Sequence, residues 1–95
     1  MAYFVNIGAS KENKSGVQSR GYHLFRRANH VIARWGAIMV TKDRKFYWCY
    51  SPQEEIYKYR SEQEARNAIQ ELIWERERGG YSRLPVGARI KQSQN

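Results

Sequence analysis

At 95 residues the chain is long enough for one hydrophobic core and too short for two domains. With 41% hydrophobic and 27% charged residues it sits among globular rather than disordered sequences. A net charge of +8 favours polyanionic partners through counterion release and long-range attraction, and the single cysteine, Cys49, excludes an internal disulfide.

The charge is uneven. Lys11, Lys14, Arg20, Arg26, Arg27, Arg34, Lys42, Arg44 and Lys45 face only Glu12 and Asp43 in residues 1–47, whereas residues 48–95 are nearly balanced. An unpaired cysteine suits a reducing compartment, so the cytoplasm is the expected location. The start has no basic n-region, and no run reaches the roughly 20 apolar residues of a membrane helix, so no membrane partner is expected.

Tyr3, Val5 and Ile7 alternate with Phe4 and Asn6, which predicts a strand over residues 2–8 with one buried face. Residues 9–21 are polar and punctuated by Gly16 and Gly21, and read as a long loop. Residues 22–28 and 31–40 read as a hairpin turning at Asn29-His30, where Asn29 tolerates a left-handed backbone. After a charged turn at 41–45, the aromatic alternation of residues 46–50 predicts a fourth strand, in which Trp48 is core. Residues 51–54 break it, and 56–60 form a short fifth strand or its resumption after a bulge.

Ser61-Glu62-Gln63-Glu64 has the form of a capping box, so a helix starts there. Ala65, Ala68, Ile69, Leu72 and Ile73 place one apolar stripe against the sheet, with Trp74 covering a sheet edge. Gly79-Gly80 permits the stop, and Arg76 and Arg78 suit the negative end of the helix dipole. The fold class is therefore α+β, a small antiparallel sheet of four to five strands with one long helix packed across it. Residues 1–81 make the single domain, and 82–95 a C-terminal tail whose last residues are disordered.

The anchors Gly21-Tyr22, Val31-Ile32-Ala33-Arg34-Trp35-Gly36-Ala37-Ile38, Tyr59-Arg60-Ser61-Glu62-Gln63-Glu64-Ala65 and Arg78-Gly79-Gly80-Tyr81 follow one another in the order of the WGR domain. The chain resembles that family, which is named after a Trp-Gly-Arg triplet and has many short bacterial members. The resemblance covers about two-thirds of the chain and implies that Trp35 and the basic Arg34 before it contact nucleic-acid ends or backbone. Ala37 stands where the family has arginine, which removes one donor beside the tryptophan. Arg34 cannot replace it directly, because adjacent strand residues point to opposite faces.

The residues beside this motif support the same expectation. Arg26-Arg27 and Lys42-x-Arg44-Lys45 flank the tryptophan strand in sequence and would supply phosphate charge without base specificity. An exposed Trp35 would stack on a base or sugar, worth roughly 1–3 kcal/mol per stacked base. The expected function is a monomeric nucleic-acid-binding module that holds the phosphate backbone of DNA or RNA with Trp35, Arg34, Arg26, Arg27, Lys42, Arg44 and Lys45. One alternative is a protein-interaction module that docks another chain on its aromatic strands. Another is a small RNA-cleaving toxin using His23 or His30 as proton carrier. His23, His30 and Cys49 lack the paired spacing of metal ligands. No phosphate loop or nucleophile motif is present, so no catalytic residue, metal or cofactor is expected.

Overall fold

The computed structural model describes residues 2–13, 16–85 and 87–92, and within 7–17 the backbone only. Seven strands and one helix follow in the order β1 (Ala2–Asn13), β2 (Gly16–Arg27), β3 (His30–Val40), β4 (Phe46–Trp48), β5 (Gln53–Lys58), α1 (Glu62–Arg78), β6 (Ser82–Arg83) and β7 (Ile90–Lys91). The strands run β6-β1-β2-β3-β4-β7, with β5 beside β4 on the outer edge of β3. All pairings are antiparallel except β4 with β7, which is parallel. This corrects the small four- to five-stranded antiparallel sheet expected from sequence. Most of the described residues lie in strands, and the mixed sheet curls into a half-barrel.

Two differences in strand length account for much of the correction. The polar stretch 9–21, read as a loop, instead extends β1 to Asn13 and starts β2 at Gly16, with Lys11 opposite Gln18 and Asn13 opposite Gly16. Backbone pairing between neighbouring strands does not require apolar side chains, so it continues where the hydrophobic pattern has stopped. The segment after the helix adds β6 on the outer edge of β1 and β7 on the outer edge of β4. The expectation of disorder at the end falls on residues 93–95, outside the described residues.

The hairpin closes with Arg27 opposite His30, so its turn residues are Ala28 and Asn29, one position earlier than expected. Ala28, at φ 55, takes the left-handed backbone that the sequence reading gave to Asn29. Asn29 instead exchanges two hydrogen bonds with Tyr59: its Nδ2 donates to the Tyr59 carbonyl at 2.7 Å, and the Tyr59 N–H donates to its carbonyl at 2.9 Å. The turn is thereby tied to the chain entering the helix.

Ser61 caps α1 in an extended conformation, its hydroxyl accepting from the Glu64 N–H at 3.2 Å. The returning bond from the Glu64 carboxylate reaches the N–H of Arg60, one residue before the cap. Ala65, Ile69 and Ile73 bury the expected stripe against Ala2, Phe4, Leu24, Val31 and Ala33. Trp74 does not cover a sheet edge; it is 57% exposed. Arg76 turns back over the ring of Tyr22, 4.8 Å from its centre, and Tyr81 meets the same ring edge-on.

Strand β1 has both faces covered. Phe4 lies in the core under the helix, while Val5 joins Ile38, Trp48 and Ile90 in a second core on the opposite side. Trp48, as expected, is buried there. Gly21 makes this second core possible: a Cβ at that position would stand 2.6 Å from Ile38 Cγ2 and 2.8 Å from Ile90 Cδ1. Without a side chain on β2, Ile90 reaches the sheet and the half-barrel closes around it.

Candidate functional site

Tyr22 lies opposite Trp35 and His23 opposite Arg34, in an unbroken register from Val17↔Val40 to Arg27↔His30. Because side chains alternate, Arg26 and Trp35 belong to the helix side of the sheet, and Arg27 and Arg34 to the other. The seven residues expected to form one nucleic-acid face are therefore divided between two.

On the helix side, Arg26 sits 3.5 Å from Glu62 and donates to the Ala28 carbonyl at 2.8 Å. Trp35 is partly buried rather than fully exposed, stacked with Tyr22 at a centroid distance of 6.0 Å and packed against the helix-side core. Beside it is a cavity of about 430 Å³ lined also by Gln18, Arg20, Ala37 and Gln53. Arg20 is the cross-strand partner of Ala37, so a guanidinium stands on the same side of the sheet as Trp35, on the neighbouring strand, and borders the same cavity. Among the described residues Arg20 has no ion-pair partner.

The side away from the helix holds a longer feature. A cavity of about 440 Å³ is lined by Arg44, Lys45, Phe46, Arg89 and Lys91. Arg89 and Lys91 continue into a second of about 420 Å³, with Tyr3, His23, Arg34 and Trp48. Arg34 in turn joins a third of about 300 Å³, with Phe25, Arg27, Ile32 and Ile56. The three cavities share lining residues, Arg89 and Lys91 between the first two and Arg34 between the last two, and so follow one another as a segmented groove bordered by Arg44, Lys45, Arg89, Lys91, Arg34 and Arg27. Two carboxylates interrupt this charge: Asp43, 3.6 Å from Lys45 Nζ, and Glu54, which accepts from Arg34 Nε.

A ladder of rings runs along the groove. Tyr3 and His23 stack at 3.8 Å with 5° between their planes, and His23 and Phe25 at 4.7 Å with 25°. The guanidinium of Arg34 lies 5.0 Å from the Phe25 centroid and that of Arg27 at 5.9 Å, both drawn by the negative face of the ring. His23 is 7% exposed, and its Nε2 is buried without a hydrogen-bond partner. Burial, and then the charge of Arg34, push its pKa from 6.5 down to about 4, so the imidazole is neutral at physiological pH. That environment does not favour His23 as a proton donor, which weakens the RNA-cleaving alternative at this residue.

The turn that presents Arg44 and Lys45 is built by Thr41. Its hydroxyl accepts from the Lys45 N–H at 3.0 Å, its carbonyl accepts from the Arg44 N–H at 3.0 Å, and Arg44 adopts φ 60. Lys42 is exposed in the same turn but does not line the groove. Arg27, Arg34, Arg44 and Lys45 are thus gathered from the expected set, while Arg26 and Trp35 face the helix side. Sequence reasoning missed Arg89, Lys91, Tyr3 and Phe25 as members. A signal for two of them existed in Arg89-Ile90-Lys91, whose cation–apolar–cation alternation has the period of a strand.

Among the described residues, no three of His, Cys, Asp and Glu come together as a metal site, and no helix is long and apolar enough to cross a membrane. Burial raises the pKa of the Cys49 thiol, which disfavours the reactive thiolate. No protein-family model, curated protein or solved structure matches the chain.

Proposed function

We propose that this domain binds nucleic acid along the groove on the side of the sheet away from the helix. The observation that carries the reading is the run of six cations through three joined cavities above a ladder of aromatic rings. Phosphates need only charge and reach, which Arg44, Lys45, Arg89, Lys91, Arg34 and Arg27 offer, while the rings and apolar walls suit sugars and bases. The helix carries Glu62, Glu64, Glu71, Glu75 and Glu77 against Arg66, Arg76 and Arg78, so the opposite layer repels the same ligand. The WGR resemblance supports nucleic acid as the partner without choosing between the two faces.

Fluorescence anisotropy with labelled DNA and RNA across a salt series tests the proposal. Affinity should fall steeply with salt, and the double reversal Arg44→Glu with Arg89→Glu should weaken binding at least tenfold while circular dichroism stays unchanged. Retained affinity in that variant, with loss instead in Arg20→Glu with Trp35→Ala, would move the seat to the helix-side cavity. A second reading, docking of another protein, is favoured by the exposed Trp74 on the helix. It requires that Trp74→Ala abolish capture of that partner and leave nucleic-acid affinity alone.

A further inference from the structure

The third cavity of the groove differs from the other two. Its walls are Phe25, Ile32 and Ile56, with Arg27, Arg34, His30 and Glu54 around them. Ile56 is 58% exposed, although it stands in a strand where a charged residue would be the ordinary choice for a solvent-facing position. Apolar walls give nothing to a phosphate, and solvated cations beside them give nothing to a purely apolar guest. The complementary ligand carries a planar ring with broad stacking faces and, a few bonds away, anionic groups.

Building on the nucleic-acid reading above, we infer that the groove takes its ligand as a single strand, with one unpaired base seated between Phe25, Ile32 and Ile56. In a duplex the bases are stacked and present only their edges in the grooves, so no ring face could enter the cavity and the contact would rest mainly on the cations. In a single strand the base can turn out, and its phosphates then fall beside Arg27 and Arg34. Arg34 is prepared for that contact. Its Nε is held by the Glu54 carboxylate and its plane is kept near the Phe25 ring. A guanidinium fixed in this way loses little freedom when it meets a phosphate or the face of a base.

The test compares three ligands of equal length at one salt concentration: a single strand, its blunt duplex, and a single strand with abasic positions, each made as DNA and as RNA. Wild-type protein and Ile56→Ser are measured by anisotropy; the exposure of Ile56 keeps that variant folded, which thermal melting verifies. The single strand should bind about tenfold more tightly than the duplex. Ile56→Ser and the abasic ligand should each lose several-fold of that affinity with the salt slope unchanged, because no phosphate contact has been removed. Equal or tighter duplex binding, or an Ile56→Ser variant indistinguishable from wild type, would overturn the single-strand inference while the nucleic-acid reading stands. Absence of binding to every ligand at low salt would overturn both. If an acidic, Phe-containing peptide then bound and lost affinity in Ile56→Ser, the cavity would pass to a protein partner.

Discussion

On the helix side of β2 and β3, Tyr22, Leu24, Val31 and Ala33 pack against α1, whereas His23, Phe25, Ile32 and Arg34, which alternate with them in sequence, line an open groove. Over this stretch the same backbone thus carries a face sealed by the helix and a receptive one, separated by the two-residue period of a strand. On the sealed face Arg26 is paired with Glu62 and Arg76 is spread over Tyr22. On the receptive face the cations outnumber the acids; a buried nitrogen without a hydrogen-bond partner occurs on both faces, Arg76 Nε on the sealed one and His23 Nε2 on the receptive one. Stability and binding should therefore respond to different members of each adjacent pair.

The largest effect separates two phenylalanines. Phe4→Ala, under the helix and fully buried, should destabilise the domain by about 3–5 kcal/mol in urea denaturation. Phe25→Ala, half-buried in the groove, should cost less than about 2 kcal/mol and chiefly weaken nucleic-acid binding. Equal costs at the two positions would erase the distinction between the faces.

Next is a pH effect belonging to the groove side alone. The folded pKa of His23, about 4, lies below its ordinary 6.5, so the folded and unfolded chains are both neutral at this residue above that value. As pH falls below 6.5 the unfolded chain takes up a proton that the folded chain refuses, and stability declines until about pH 4. The loss attributable to His23 should reach roughly 2 kcal/mol at pH 5. Denaturation of wild type and His23→Phe at pH 7 and pH 5 isolates it: the substitution should remove this part of the decline.

A smaller contrast lies between two adjacent arginines. Arg27→Ala should weaken nucleic-acid binding several-fold and reduce the salt slope by about one. Arg26→Ala should leave binding unchanged and lower stability by no more than about 1 kcal/mol, since its ion pair is partly exposed. The smallest effect is at the turn joining the strands. Ala28→Gly, at φ 55, should stabilise by about 0.5 kcal/mol and alter neither face.

What could be read from the chain alone was local. The capping serine, the apolar stripe of Ala65, Ile69 and Ile73 and the hairpin each depend on neighbours a few residues away, and the structure contains them; Trp48 was legible as core from its own alternation, although distant residues bury it. The opposite orientation of Arg34 and Trp35 was also legible, because strand alternation alone requires it. Tertiary structure decided the features made by distant pairing. Residues 9–13 and 16–21 become strand because backbone partners are available, and the parallel pairing of β7 with β4 depends on Gly21 leaving room for Ile90. That closure brings Arg89 and Lys91 to Arg34, Arg44 and Lys45, which no local period links to them. Sequence determined which residues alternate on each strand; only the curled sheet decided which of the two resulting faces the helix would cover and which would stay open, since both carried enough apolar surface to pack.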